Sequence, residues 1–292
     1  MMNTAILKSG DLTARVLAPE NSRYNRTRFN HSAFLPDVWY KGTKFTQYER
    51  NQNDGFITTE GSGICCEYDN VQIMRDTPVG EWYLKPGIGV LKREKDEWGI
   101  CQFVKYQPFD TKYDIGADNA VFETESPNVN GYAYKETRAV KLNGDEITLA
   151  VTLKNAGEKA FQLEEYCHNF LSLGDRDVGP GYRLDVPGFV NPASMNGSPL
   201  SYALVGDEKG FTFSGEVLKS FYVKSYETQK APVTWRMSHS ECGAFIQEAD
   251  SFTPNHIAVW GDYYVFSCEV FLPIDLKPGE ELSWTRKWKF GV

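Results

Sequence analysis

Several features common in soluble proteins are missing from this sequence. Its six cysteines, Cys65, Cys66, Cys101, Cys167, Cys242 and Cys268, include no CxxC pair. Neither a zinc ribbon nor a thiol redox motif is therefore written, and the cysteines read as reduced, mostly buried thiols. No run approaches the roughly 20 apolar residues of a membrane span. The start, MMNTAILKSGDLTARV, has no basic segment followed by an apolar core of the kind that directs secretion. These absences lead us to expect a soluble, cytoplasmic protein with no membrane partner. Basic residues are outnumbered, 31 Lys and Arg against 39 Asp and Glu, for a net charge of -8. Phosphate backbones are bound by clustered Lys and Arg, so no nucleic-acid partner is expected. An acidic surface suits a neutral small molecule better. Helical periodicity over three turns, internal repeats and low-complexity linkers are absent as well.

Alternation and aromatics are plentiful. In EITLAVTLKN (146–155), Ile147, Leu149, Val151 and Leu153 share one face while Thr148, Ala150 and Thr152 share the other, the pattern of a strand with one side in a core. Similar runs occur at 99–106, 210–217, 231–239, 256–272 and 281–290. Turn signals separate such runs: LNGDE (142–146), KNAGEKA (154–160), DVGPGY (177–182) and LKPGEE (276–281). Many short strands punctuated by Gly and Pro predict an all-β fold, a large antiparallel β-sandwich. At 292 residues the chain can bury its own core, and we expect one domain over residues 1–292.

Period-two arithmetic then sorts the candidate chemistry. If 161–173 is extended, Phe161, Leu163, Cys167, Leu171 and Leu173 share a face with Glu165 and Asn169. Gln162, Glu164, Tyr166, His168, Phe170 and Ser172 share the opposite, wetter face. Cys167 must point away from His168, so the two form neither a nucleophile-base pair nor a shared metal site. In YYVFSCEVFLP (263–273), Tyr264, Phe266, Cys268, Val270 and Leu272 make an apolar face, and Glu269 projects from the mixed one. A carboxylate buried there without a partner would cost several kcal/mol, so Glu269 either has a partner or ligand or lies on a solvated sheet face. Gly261 and Asp262 suit a two-residue hairpin loop. That register would set Trp260 against Tyr263, Ala258 against Val265 and His256 against Ser267, with His256 diagonal to Glu269. His31 and His239 have no local partner and read as structural or surface residues. Arg23, Arg26 and Arg28 in RYNRTRF are either solvated edge-strand charges or a fork for sugar hydroxyls or a phosphate.

At this point the residues resemble the galactose mutarotase-like (aldose 1-epimerase) superfamily. The likeness is carried by ITLAVTLKNAGEKAFQL, then the histidine-bearing CHNFLSLG, then VFSCEVFLP and the closing LKPGEELSWTRKWKF, in that order between about Tyr134 and Val292. RTRFNHSAF and LKPGIGVLKRE match more loosely. The resemblance implies a β-supersandwich that binds a pyranose in a cleft on one sheet. It makes His168 the general acid and Glu269 the general base of anomer interconversion, with no cofactor and no metal. Tyr166 and Trp260 would stack on the sugar, and His256 would adjoin the base. The family's earlier active-site histidine has no counterpart; Lys85 in WYLKPGIGV occupies that part of the chain. The family's asparagine-arginine segment is echoed by Arg28. The implied partner is a small-molecule sugar or sugar phosphate. A non-catalytic carbohydrate-binding or sensing module on the same fold is the alternative, and glycoside cleavage would require a second carboxylate beside Glu269.

Overall fold

The computed structural model describes residues 4–19, 26–49, 61–96, 105–188, 196–197, 204–225 and 229–292. Most of the strand expected at 99–106, as well as Arg23 and Cys101, lies outside them. Among the described residues the only α-helix is the short α1 (Val71–Arg75). Alternation in the sequence thus became strand, numbered here in chain order.

The larger sheet has ten strands. In spatial order they are β16 (Leu204–Asp207), β17 (Gly210–Phe213), β14 (Tyr182–Asp185), β19 (Thr234–His239) and β20 (Phe245–Asp250), followed by β23 (Glu281–Gly291), β12 (Glu146–Asn155), β11 (Tyr134–Asn143), β10 (Asn119–Glu125) and β9 (Thr111–Ile115). A six-stranded sheet is ordered β15 (Asn196–Gly197), β18 (Phe221–Lys224), β21 (His256–Asp262), β22 (Val265–Leu276), β13 (Phe161–Asn169) and β5 (Ile64–Asp69). Two smaller sheets flank them: β1 (Thr4–Ser9), β2 (Leu12–Leu17), β3 (Asp37–Tyr40) and β4 (Thr43–Lys44) in one, and β6 (Trp82–Lys85), β7 (Gly89–Lys92) and β8 (Tyr106–Pro108) in the other.

The two large sheets pack face to face. Leu149 and Val151 of β12 and Trp288 of β23 share one buried cluster with Leu163 and Cys167 of β13 and Cys268 and Val270 of β22. The face of β12 that alternation assigned to the core is buried, and its Thr148, Ala150 and Thr152 are half-buried on the other side. Trp288 is fully buried, and truncating such a residue to Ala typically costs about 3–5 kcal/mol. The predicted turn at 142–146 joins β11 to β12, with Gly144 at φ +63°, a conformation that strains any other residue but glycine, Asn or Asp.

Charge also lies inside the sandwich. Arg138 of β11 reaches Glu136 and Glu165, and Arg286 of β23 reaches Glu165 at 2.6 Å, Asp250 at 3.1 Å and Glu248 at 3.2 Å. All of these side chains are buried. Glu165 and Asn169, which parity placed on the apolar face of β13, belong to this network.

The β21–β22 hairpin departs from the sequence expectation. Its turn is Tyr263-Tyr264, not Gly261-Asp262, so Asp262 pairs with Val265, Trp260 with Ser267, Ala258 with Glu269 and His256 with Phe271. Gly261 is held inside the strand, where an added Cβ would meet the Phe221 ring at 2.7 Å. The slip is an even number of residues along the pairing, so every side chain keeps its predicted face. His256 remains diagonal to Glu269, from the opposite side.

Candidate active site

Both faces of β13 become buried from Glu165 onward, as do both faces of β22 from Val265 to Leu272. The sequence reading placed His168 on a wet face; it is 2% exposed, and Glu269 is 4% exposed. The cover comes partly from two segments outside the sheet. Residues 28–31 lie against the turn after β6: His31 donates its backbone N–H to Gly87 O at 2.9 Å. Gly87, at φ +75°, leaves the space that the Asn30 side chain fills. These contacts carry Arg28 and Lys85 onto the outer face of the six-stranded sheet.

On that face β13 lies between β5 and β22. Tyr166 is opposite Glu67, and His168 opposite Cys65. The ladder with β22 pairs Phe161 with Leu276 and Glu165 with Leu272. Carried three residues further, this register sets His168 against Glu269. Their side chains meet, with His168 Nε2 3.2 Å from Glu269 Oε1. The imidazole stacks on Phe170 at 3.9 Å between ring centroids and is flanked edge-on by Phe29 and Trp260. Its Nδ1 has no hydrogen-bond partner among the described residues.

Beside the pair is a polar cluster centred on Glu67. Arg28 Nε donates to Glu67 Oε2 at 2.8 Å, Lys85 Nζ to Oε1 at 3.4 Å, and the Tyr166 hydroxyl to Oε2; Arg28 Nη2 also donates to the Tyr166 oxygen at 3.2 Å. Tyr166 stacks on Phe271 at 4.4 Å, and Phe271 on His256 at 4.0 Å. His256 Nδ1 lies 3.7 Å from Glu164 Oε1.

Burial pushes the Glu269 carboxyl up to about 7, although the Arg28 cation opposes this. Burial, assisted by Arg28, holds His168 well below the ordinary histidine range. His256 is pushed down to about 4 by burial and by Lys224. Both imidazoles are therefore neutral near pH 7, while Glu269 is near half-ionised. Two titratable groups in contact with displaced pKa values mark a candidate site on physical grounds.

The seven residues singled out in the sequence, Arg28, Lys85, Tyr166, His168, His256, Trp260 and Glu269, all lie on or over this one face. His31 is buried under the same cover, its Nε2 2.9 Å from Arg26 O, and His239 lies elsewhere, packed edge-on against Tyr182. Glu67, the hub of the polar cluster, escaped the sequence reading. ICCEYD is buried at all positions but the last, so alternation gave no signal there. A lone Glu inside an otherwise apolar run was the available clue. Cys167 and Cys268 are fully buried behind the pair, in the interior. Among the described residues no cluster of His, Cys, Asp and Glu is arranged to hold a metal ion.

These features define a two-sheet antiparallel supersandwich with its candidate site on the smaller of the two large sheets. No family model matches the chain, and no curated protein does. Solved structures match it end to end. A galactose mutarotase-like protein from Lactobacillus casei superposes with a TM-score of 0.62 at 11% identity, covering 99% of this chain and 100% of that one. A galactose mutarotase-like protein from Clostridium acetobutylicum gives 0.56 at 12% identity, covering 98% and 94%. An aldose epimerase homologue from C. elegans gives 0.52 at 10% identity, covering 99% and 98%. The chain has the galactose mutarotase-like fold, as the resemblance in the sequence implied.

Proposed function

We propose that the face bearing His168 and Glu269 binds a pyranose and interconverts its anomers. The observation that carries this reading is the buried contact between the two side chains at 3.2 Å. Anomer exchange requires a proton to leave the C1 hydroxyl and a proton to reach the ring oxygen. The C1–O5 bond then breaks to give the open-chain aldehyde, which rotates about C1–C2 and recloses with the transfers reversed. Both oxygens are bonded to C1, so an acid and a base side by side suit the reaction better than two groups across a cleft.

The pair shares one exchangeable proton up to about pH 7, where Glu269 ionises. In the free site that proton rests on Glu269, because burial disfavours an imidazolium. Moving it to His168 gives carboxylate and imidazolium, the base and acid that the sequence resemblance implied, with no change in the total proton count. Such positioned transfer is worth about 10²- to 10⁴-fold. Tyr166, Trp260 and Phe271 offer faces for the sugar's CH surface, and Arg28, Lys85 and Glu67 offer polar contacts to hydroxyls or to a phosphate.

The test is magnetisation-transfer NMR of anomer exchange with glucose, galactose and glucose 6-phosphate, for wild type and Glu269→Gln. Wild type should accelerate exchange of at least one sugar, and the variant should lose about 10²- to 10⁴-fold of that rate. Binding without exchange in the wild type would establish the non-catalytic module instead. Loss of affinity for the phosphate ester alone in Arg28→Ala would assign the phosphate contact to Arg28.

A further inference from the structure

The ladder joining β13 to β22 is interrupted where the pair sits. It runs from Phe161↔Leu276 to Glu165↔Leu272 and resumes at Leu171↔Phe266, where both backbone hydrogen bonds form at 3.0 and 3.1 Å. The register is the same on both sides of the gap, so no residue is inserted and no bulge is present. Antiparallel pairs alternate between hydrogen-bonded and non-bonded, and side chains come closest at the non-bonded ones. With Leu171↔Phe266 bonded, Asn169↔Cys268 and Cys167↔Val270 fall at bonded positions, and His168↔Glu269 falls at the close, non-bonded position between them.

Side chains from the interior occupy those bonded positions. Asn169 Nδ2 donates to Cys268 O at 3.0 Å, and Arg286 Nη2 donates to Val270 O at 3.0 Å. The carbonyls on either side of Glu269 are thus both capped from behind the sheet. The Asn169 backbone N–H donates to Ser267 Oγ at 3.1 Å, and Ser267 lies two residues before Glu269 on the same face of β22, where its hydroxyl favours the ionised carboxylate. Asn169 is itself fixed, with Oδ1 accepting from Trp288 Nε1 at 3.1 Å and Nδ2 also donating to Glu248 Oε2 at 3.0 Å. An amide group placed between two strands keeps them from closing to the ordinary ladder spacing of about 4.8 Å.

We propose that Asn169, acting through Ser267, is a positioning residue for the His168–Glu269 pair: it spreads β13 from β22 at that one row and fixes how the carboxylate meets the imidazole. The inference deepens the acid-base reading of the site and rests on it. The charged and titratable groups facing the pair are Arg28 from the covering segment, Glu67 of β5, Tyr166 of β13 and Tyr222 of β18. All four stay unchanged in the test.

The test follows the ring ¹⁵N shifts of His168 against pH in the sugar-free protein, for wild type, Asn169→Ala, Ser267→Ala and Ser267→Thr. In the wild type the shifts should record Glu269 ionising near pH 7 through the shared contact. Asn169→Ala and Ser267→Ala should displace that step, and Ser267→Thr, which restores the hydroxyl, should return it. With a sugar that is turned over, the two alanine variants should lower kcat about 10- to 100-fold and leave KM unchanged. Ser267→Ala removes a single hydroxyl and keeps the test open if Asn169→Ala does not fold. A purely structural role would lower the melting temperature and leave the step in place, and an unmoved step in folded Ser267→Ala overturns the proposal. The step is read without sugar, so failure of the positioning role is distinguishable from failure of the assigned reaction, which would show as absent exchange in the wild type.

Discussion

One strand, β13, carries ionisable groups on both of its faces, and the two faces treat them differently. Inward, Glu165 lies between two guanidiniums, with Arg286 at 2.6 Å and Arg138 at 3.3 Å. Outward, His168 meets Glu269, and this carboxylate has an imidazole where Glu165 has two permanent cations. Both settings are dry. The inner carboxylate is matched by charges that cannot be neutralised; the outer one is pushed up to about 7 by burial and lies 3.2 Å from a neutral imidazole. Burial alone therefore does not make a site. What distinguishes Glu269 from Glu165 is burial against a partner that is itself titratable.

Removing the inner cation should have the largest effect on the fold. Arg286→Met leaves Glu165, Glu248 and Asp250 without the guanidinium they share, and urea unfolding at neutral pH should show a loss of about 3–5 kcal/mol. A loss below 1 kcal/mol would mean that the inner network tolerates an unmatched charge as readily as the outer face does, and the contrast between the faces would fail.

The outer face should respond in the opposite direction. Glu269 sits at about 7 in the folded protein against an ordinary 4.5, a displacement of about 2.5. A raised carboxyl stabilises the fold fully below its unfolded value, and that contribution is lost as pH rises through the folded value. At about 1.4 kcal/mol per pH unit of displacement, ionised Glu269 costs the fold about 3 kcal/mol above pH 7. Glu269→Gln has no such ionisation, so it should be more stable than wild type at pH 8 by up to that amount and no more stable at pH 4, as read by thermal melts at the two pH values. Equal stability at pH 8 would show that Glu269 is not displaced.

A smaller effect sharpens the division within the outer face. Tyr166→Phe removes the hydroxyl that joins Arg28 to Glu67 and keeps the ring that stacks on Phe271. It should cost about 1 kcal/mol of stability and weaken sugar binding, seen as raised KM with kcat nearly unchanged.

Much of the architecture was legible in alternation. Ile147 to Leu153, the runs at 256–272 and 281–290, and the turns at Gly144 and Gly279 were readable because one face of each strand is apolar and each turn has its glycine. The same parity separated His168 from Cys167 and put Glu269 opposite Cys268. Local signals ended where contacts were distant. Gly261-Asp262 looked like a turn and is strand, because the packing of Phe221 and the pairing with β22 outweigh the local preference. The His168 face is dry although its strand reads as mixed, because part of its cover comes from residues 28–31 and 85–88, at least 80 positions away in the sequence. Glu67 went unread for a related reason: β5 pairs with β13 across nearly a hundred residues, and nothing within ICCEYD announces its neighbours.

The central claim, that His168 and Glu269 work through one shared proton, is tested most directly by the pH dependence of kcat/KM for anomer exchange in the wild-type protein. The account predicts that activity falls above about pH 7, as Glu269 loses that proton, and falls again below the ordinary histidine range, as His168 gains a second. Activity that stays level from pH 6 to pH 9 would contradict it.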